Sequence, residues 1–193
     1  LMRAMQRALR RSDLPLRYSQ GFNPHILLSF AAPLSLGMAG KREVMEVPLE
    51  RDVAPEEFMA RLSAALPPDL PLVSCVPVDD RHAAPMALLA AASYAAKLET
   101  VPAGLAEAVH GFLAQAEIPA VRKTKTGLKP CDIRPMIYTL SLSGDTLYMT
   151  LALSEKATCK PDLLLDSLFT FAGVNRPRML ITRTQLLGLA GEV

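Results

Sequence analysis

Predicted helices and strands occur in nearly the same order in the two halves of this chain. In the second half they are, in order, a strand at 93–99, a helix opened by Pro102, strands at 135–143 and 146–154, a helix opened by Pro161 and a strand at 178–187. Alternating apolar residues mark the strands, and apolar residues three or four apart mark the helices. This β-α-β-β-α-β order predicts a four-stranded antiparallel sheet with both helices on one face, the ferredoxin-like fold.

The first half has the same order without an opening strand. Its predicted elements are a helix from Leu1 to near Ser12, strands at 26–31 and 43–50, a helix opened by Pro55 and a strand at 72–78. A missing central strand would leave two ladders of backbone groups unpaired, so we expect the natural protein to be longer at its N-terminus. The sequence thus predicts an α+β protein of two tandem ferredoxin-like units with antiparallel sheets, at 1–80 and 93–193, joined by a proline- and alanine-rich linker at 81–92.

Composition excludes several classes of protein. Half of the 193 residues are apolar and 21% are charged, which excludes a disordered chain. The longest nearly uncharged apolar stretch, 83–92, is far shorter than the roughly 20 residues of a membrane-spanning helix, so no span and no membrane partner is predicted. The three cysteines form no CxxC pair and the three histidines form no HExxH motif. We therefore predict a cytoplasmic protein that binds no metal or cofactor itself.

Positive charge is concentrated in short stretches, although the net charge is only +2. Residues 1–25 carry five arginines against Asp13, and residues 121–134 carry five cations against Asp132. A third group comprises Arg176, Arg178 and Arg183. This distribution favours a polyanionic partner, provided that the three groups lie on a common side of the molecule and are not neutralised by the carboxylates of Glu43 to Glu57.

The first predicted helix presents a face of four arginines. They are Arg3, Arg7, Arg10 and Arg11, with Leu1, Met5 and Leu9 on the opposite face. The arginine face has no acidic residue to form the i,i+4 pairs of an ordinary solvated helix. Because a guanidinium group binds a phosphate through two parallel hydrogen bonds, the four arginines predict a phosphate-binding surface, with a simple solvated face as the alternative.

The loop after this helix combines a cation, aromatic rings and amides. Its sequence is Arg17-Tyr18-Ser19-Gln20-Gly21-Phe22-Asn23-Pro24-His25. Tyrosine and histidine rings stack on unpaired bases, and amide side chains read base edges. The candidate nucleic-acid contacts of the loop are Arg17, Tyr18, Gln20, Asn23 and His25. Phe22 is predicted to lie in the core, and the alternative for the whole loop is a structured turn around Asn23-Pro24.

The second basic stretch, 121–135, alternates cations with threonine before a glycine turn. Its candidate phosphate contacts are Arg122, Lys123, Lys125, Lys129 and Arg134. A strand with outward-facing cations is the simpler interpretation. Five cations with one aspartate repel one another, however, unless an anion lies among them, and this favours contact with a phosphate backbone.

Three groups of residues carry a resemblance to a known family. They are Leu1-Met2-Arg3-Ala4-Met5-Gln6-Arg7-Ala8-Leu9-Arg10-Arg11, then Tyr18-Ser19-Gln20-Gly21-Phe22-Asn23-Pro24-His25 with Leu28-Ser29-Phe30-Ala31, and then Lys123, Lys125 and Asp132-Ile133-Arg134-Pro135. Over essentially its whole length the chain resembles the radical-SAM-associated family known as domain of unknown function 2344. The resemblance implies a bacterial cytoplasmic protein encoded beside, or fused to, a cobalamin-binding radical SAM protein. That partner would carry an iron–sulfur cluster and S-adenosylmethionine, and the resemblance implies no known reaction.

Together these features predict an RNA-binding accessory protein, without catalytic activity of its own, that presents tRNA or rRNA to a radical SAM partner for modification. Two alternatives stay open. In a metal-independent endoribonuclease, by analogy with tandem ferredoxin-like CRISPR RNA-processing proteins, Tyr18 and His25 would act as general base and acid, and Lys123 or Lys125 would stabilise the phosphate. In a protein-docking module, the basic faces would bind an acidic patch of the radical SAM partner.

Overall fold

The computed structural model describes residues 1–79, 81–124, 127–188 and 191–192. The protein has a mixed α/β fold with two compact units: unit 1 contains residues 1–31 and 44–85, and unit 2 contains residues 32–43 and 86–193. In chain order the elements are α1 (Met2–Arg11), β1 (Ser29–Phe30), β2 (Ala39–Gly40), β3 (Met45–Glu46), α2 (Pro55–Ala65), α3 (Pro85–Leu88), β4 (Leu89–Leu98), α4 (Leu105–Leu113), β5 (Pro119–Thr124), β6 (Gly127–Asp132), β7 (Ile137–Ser143), β8 (Thr146–Ala152), α5 (Pro161–Phe171), β9 (Met179–Gly188) and β10 (Gly191–Glu192), with a 3-10 turn at Arg134–Met136. Within the described ranges, no helix has the length and apolar character needed to cross a membrane.

Unit 1 is built on the packing of α1 against α2. The buried residues of the two helices are Met5, Ala8 and Leu9 in α1 and Phe58 and Leu62 in α2. Full burial of one such large apolar side chain stabilises a fold by roughly 1.5–3 kcal/mol. Both predicted helices are confirmed: the fixed φ of Pro55 suits the first turn of α2, and Pro67-Pro68 follow its end.

The strands of unit 1 are shorter than predicted. β1 pairs antiparallel with β3 over two residues, with Ser29 opposite Glu46. Residues 72–78 are described but form no strand, so that prediction is wrong. In this segment Leu72 and Cys75 pack against the core, while its valines are exposed. The tandem ferredoxin-like arrangement is therefore not confirmed.

Unit 2 contains one large sheet with the strand order β10-β9-β4-β8-β7, to which β2 adds by pairing with β9. Neighbouring strands run antiparallel, except that β2 runs parallel to β9. The sequence predicts purely antiparallel sheets, whereas this sheet is mixed, because β2 runs parallel to β9. Along the chain, β4, α4, β7, β8, α5 and β9 follow in the predicted order, with the β5–β6 hairpin inserted after α4 and β4 beginning inside the predicted 81–92 linker.

Alternate residues give the large sheet a covered face and an open face. Leu147, Met149 and Leu151 of β8 are buried, whereas Tyr148 between them is half exposed. Helices α4 and α5 bury apolar side chains of their own and contact each other where the rings of Phe112 and Phe171 meet edge to face, with centroids 5.7 Å apart. The covered face therefore holds the core of unit 2.

A buried ion pair holds residues 32–43 within unit 2. Arg183 on β9 is 2% exposed, and its Nε donates to Oε1 of Glu43 at 2.9 Å. Its Nη2 donates to the second carboxylate oxygen and, at 2.9 Å, to the carbonyl of Ala32. Burial alone would lower the pKa of Arg183, but the hydrogen bonds to Glu43 and the charge of that carboxylate raise it overall. The sequence assigns 32–43 to the first half of the chain, and only the fold shows that it belongs to unit 2.

Candidate nucleic-acid interface

The arginine face of α1 is exposed as predicted. Arg3, Arg7, Arg10 and Arg11 all lie at the surface of unit 1. Arg11 donates from Nη2 to the carbonyl of Ala65 at 2.6 Å, whereas the other three have no ion pair or hydrogen-bonded side chain among the described residues. Arginines in the last turn are favoured by the partial negative charge of a helix C-terminus, but the dipole does not explain Arg3 in the first turn.

The loop after α1 is a narrow hairpin. Isolated bridges join Leu16 to Leu49 and Tyr18 to Ile26, both antiparallel. The amide of Leu27 donates to the carbonyl of Arg17 at 2.9 Å, and the amide of Ser19 donates to the carbonyl of His25 at 2.9 Å. These backbone bonds leave residues 19–25 as the tip, which we call the 19–25 tip.

Ser19 and His25 close the 19–25 tip. The Ser19 hydroxyl lies 2.7 Å from Nδ1 of His25 and accepts the His25 amide N–H at 3.1 Å. When a serine hydroxyl donates to Nδ1 of a neutral imidazole, the ring proton stays on Nε2, where it can be donated to a ligand. Ser19 is not among the site residues predicted from the sequence. Its hydroxyl, six residues before a histidine in a predicted turn, is the feature of the sequence that could have indicated it.

The 19–25 tip exposes an aromatic ring. Phe22 is fully exposed, at 106%, so the prediction that it lies in the core is wrong. The reason is that the hairpin enters the core only up to Ile26, which is 2% exposed, and the tip extends beyond it. Gln20, Asn23 and His25 are exposed beside Phe22, and Tyr18 is 41% exposed. The tip therefore presents aromatic, amide and imidazole groups to solvent together.

The second predicted surface is the β5–β6 hairpin of unit 2. Its register places Arg122 directly opposite Lys129 and Lys123 opposite Leu128. Like charges directly opposite on paired strands are destabilising, so this hairpin is built at an electrostatic cost. Leu128 is 72% exposed and lies next to these cations. Lys125, also predicted to contact phosphate, lies outside the described residues.

Arg134 is held by the protein itself. Its Nε donates to the carbonyl of Leu113 at 3.1 Å and its Nη1 to that of Ile137 at 3.3 Å. Its amide donates to Oδ1 of Asp132 at 2.9 Å, and the same oxygen accepts the amide of Ile118 at 2.8 Å. Arg134 and Asp132 therefore fix the base of the β5–β6 hairpin, a role that the linear sequence does not reveal.

The third basic group is largely neutralised by carboxylates. Arg176 contacts Asp162 at 2.7 Å and Asp166 at 2.8 Å, and Arg183 is buried against Glu43. Helix α5 and residues 32–43 therefore supply counter-charges for two of the three arginines of this group, Arg176 and Arg183.

Groups for catalysis are sparse. In the unit 1 hairpin Tyr18 pairs with Ile26 and Ser19 with His25, and Lys123 lies on β5 in unit 2. Among the residues that the structure describes, no three histidine, cysteine, aspartate or glutamate side chains are grouped so that they could hold a metal ion. What the geometry does provide is two exposed hairpins, one with an aromatic tip and one with facing cations.

Comparison with known proteins assigns a family. No match to the chain was found among curated proteins or among solved structures. The sequence model of one family matches residues 1–161, which include α1, both hairpins and the large sheet as far as β8. The chain belongs to this family, which is described as an uncharacterized protein conserved in bacteria (DUF2344).

Proposed function

We propose that this protein is an RNA-binding accessory protein that works with a radical SAM partner in the modification of tRNA or rRNA. Its bound RNA would contact the 19–25 tip, the arginine face of α1 and the β5–β6 hairpin. The chain would bind and present the RNA, while the iron–sulfur cluster and S-adenosylmethionine would belong to the partner.

The observation that carries the proposal is the complete exposure of Phe22. An exposed phenylalanine on a hairpin closed by backbone bonds and by the Ser19–His25 contact contributes nothing to the core of unit 1. A base offers such a ring a flat apolar surface, and one base–aromatic stack contributes about 1–3 kcal/mol to binding. The neighbouring amides and imidazole supply hydrogen-bonding groups that a base edge or a phosphate uses.

The distribution of cations supports the same partner. Arg3, Arg7 and Arg10 have no protein carboxylate among the described residues, and Arg122 faces Lys129 across a hairpin. Phosphates would relieve the repulsion between such groups, and the released counterions would drive association. The radical SAM partner is proposed only because the family resemblance described in the sequence analysis implies one.

A binding titration tests the proposal. Labelled tRNA and rRNA fragments are titrated with the protein at 50 and 200 mM salt, and we expect affinity to fall steeply with salt. Phe22→Ala should raise Kd about 5- to 150-fold. Leu36→Ala is the matched control, because Leu36 is equally exposed, at 105%, but lies outside the tip.

Three outcomes would contradict the proposal. Absent or salt-insensitive binding would remove the RNA ligand. RNA cleavage in EDTA would favour the metal-independent endoribonuclease. Co-purification with the radical SAM partner that survives nuclease treatment, without any RNA binding, would favour the docking module.

A further inference from the structure

The open face of the unit 2 sheet is a second exposed surface, separate from the residues used above. Each strand register places its members side by side: Ala95 on β4 lies opposite Tyr148 on β8, and Tyr148 lies opposite Ser141 on β7. Along the same face, Ser93 lies opposite Thr150, and Lys97 opposite Thr146. We call this surface the Tyr148 face.

Tyr148 is the large side chain near the middle of the Tyr148 face. It is 50% exposed although it belongs to β8, which has a strand on each side. The residues directly opposite it, Ala95 and Ser141, are too small to cover a phenol ring. The ring is therefore presented on a flat surface of short side chains, with room for another flat group against it.

The surroundings of Tyr148 are held by the sheet. The hydroxyls of Ser93 and Thr150 lie 3.1 Å apart across β4 and β8, and the Thr184 hydroxyl donates to the carbonyl of Ser93 at 3.1 Å. The hydroxyl of Thr139 on β7 accepts the amide of Thr150 at 3.1 Å. Because these hydroxyls are engaged within the sheet, binding a ligand here would order few side chains and would cost little conformational entropy.

One end of the Tyr148 face carries two cations, Lys97 and Arg178, together with the carboxylates of Glu99 and Asp145. Lys97 lies opposite Leu180 on β9, and these residues line a shallow depression of about 340 Å³ together with Arg178 and Glu99. Lys97 is two residues along β4 from Ala95, the residue opposite Tyr148, which corresponds to about 7 Å. This distance is similar to the distance that separates the base of a nucleotide from its phosphate. Lys97 also contacts Asp145 at 3.7 Å, but both side chains are at least half exposed, so the pair is weak and a phosphate can compete for the ammonium group.

We propose that the Tyr148 face binds single-stranded RNA, with one unpaired base stacked on Tyr148 and a neighbouring phosphate at Lys97. The inference rests on the proposed function in taking RNA as the ligand, but it uses a site of its own. Antiparallel sheet surfaces with aromatic residues on interior strands bind unpaired bases in this manner, and β4 and β8 are interior strands of the large sheet, each with a strand on both sides. The surface combines Tyr148 and Lys97 with small and hydroxyl-bearing side chains, a set that matches the stacking and phosphate contacts of single-stranded RNA, and Leu180, 58% exposed, lies at the end that carries Lys97.

Short oligonucleotides test this site separately from the larger RNA. The full chain is titrated with a single-stranded RNA octanucleotide that contains 2-aminopurine, whose fluorescence falls when the base stacks on an aromatic ring. We expect quenching with the wild type. Tyr148→Leu, which keeps apolar bulk but removes the ring, should abolish the quenching and raise Kd about 5- to 150-fold. Tyr148→Phe should retain the quenching and the wild-type Kd, because the ring that stacks on the base is preserved.

A second variant tests the proposed phosphate contact at Lys97 without changing Tyr148. Lys97→Ala should lower the slope of log K against log salt by about 0.7, the value for one phosphate of a single strand. The unfolding midpoint and circular dichroism of each variant are compared with those of the wild type, so that loss of fold is recognised.

The outcomes separate this inference from the proposed function. Wild-type quenching that persists unchanged in Tyr148→Leu overturns the Tyr148 site, while RNA binding that still depends on Phe22 would leave the proposed function standing. A wild type that binds neither tRNA nor the octanucleotide overturns both. A dimer that Tyr148→Leu dissociates without any effect on RNA would assign this face to a second copy of the chain instead.

Discussion

Arg183 and Glu43 are 140 residues apart in the chain, yet their side chains form an ion pair that is almost sealed from solvent. The guanidinium group also donates to the carbonyls of Ala32 and Pro33, so one side chain satisfies four acceptor oxygens. Next to it, burial raises the pKa of Tyr94, against the opposing influence of the Arg183 charge. The pair thereby fixes residues 32–43 along β9, where β2 adds a short parallel strand.

Removing the carboxylate should destabilise the protein strongly. Glu43→Ala leaves a buried guanidinium without its counter-charge, and breaking a buried pair in this way costs about 3–5 kcal/mol. Urea denaturation at pH 7 measures the free energy of unfolding. Asp145→Asn is the control, because its contact with Lys97 is exposed and should make no measurable difference. Equal effects of the two substitutions would show that the Glu43 pair is not buried as described.

Gly40 is needed for the same contact. A Cβ added to Gly40 would lie 2.5 Å from Oε1 and 2.8 Å from Cγ of Glu43, whose side chain is held by Arg183. Gly40→Ala should therefore lower the free energy of unfolding in the wild type. In a Glu43→Ala background the same change should cost much less, because the clashing atoms are gone. A double-mutant cycle by urea denaturation measures this coupling, and additive effects would contradict the clash.

The helices were predictable because their signals are local. Proline in the first turn and apolar residues three or four apart identify α2 and α5 without knowledge of any partner. The strands of unit 2 were predictable in the same way, since Gly144-Asp145 and the alternation of 146–152 need only neighbouring residues.

The errors concern contacts between residues distant in the chain. Residues 72–78 have the composition of a strand, but a strand also needs a pairing partner, and none is present among the described residues. Phe22 is apolar, but its place on a hairpin tip keeps it out of the core. The place of Tyr148 could not be predicted for the same reason. The alternation of residues shows that Tyr148 faces away from Leu147, but only the strand order shows that it lies on an interior strand of the sheet.

Alkaline pH should destabilise the protein through Cys159. Burial, followed by the neighbouring Cys131, raises the pKa of the Cys159 thiol from its ordinary value of 9.0 to about 11. Between pH 9 and 11 the unfolded chain loses this proton while the folded chain keeps it, so the unfolded state binds fewer protons and stability falls as pH rises. The slope approaches about 1.4 kcal/mol per pH unit midway between the two pKa values, is about half of that at pH 9, and fades within about one pH unit below pH 9.

The measurement compares the wild type with Cys159→Ala, in reductant, by urea denaturation between pH 8 and 10.5. The variant should lose most of the slope between pH 9 and 10, while Tyr94, whose pKa is also raised by burial, still contributes above pH 10 in both proteins. Identical slopes in the two proteins would show that the Cys159 thiol ionises as readily when folded as when unfolded.

Arg134 should act on stability more than on RNA binding. Arg134→Ala removes two hydrogen bonds to buried or half-buried backbone, to the carbonyls of Leu113 and Ile137, and should lower the free energy of unfolding by about 1–3 kcal/mol. Lys129→Ala is the matched control, because Lys129 is exposed on the same hairpin and faces Arg122, so that its removal should weaken RNA binding without lowering stability. An Arg134→Ala protein of wild-type stability with weakened RNA binding would instead make this arginine an RNA contact.

The arginines of α1 should appear in the salt dependence of RNA binding. Arg7 is exposed on the middle turn of α1, flanked on its face by Arg3 and Arg10, and no carboxylate competes for it among the described residues. If its guanidinium contacts one phosphate, Arg7→Ala lowers the slope of log K against log salt by about 0.7–0.9 and weakens binding to every RNA sequence alike. Filter binding at four salt concentrations measures the slope. Arg51→Ala is the control, since Arg51 is equally exposed but lies outside α1, and it should leave the slope unchanged. If the slope for Arg7→Ala equals that of the wild type, α1 is not part of the interface. Loss of a phosphate contact must also lose the release of one counterion, and the slope would then be smaller.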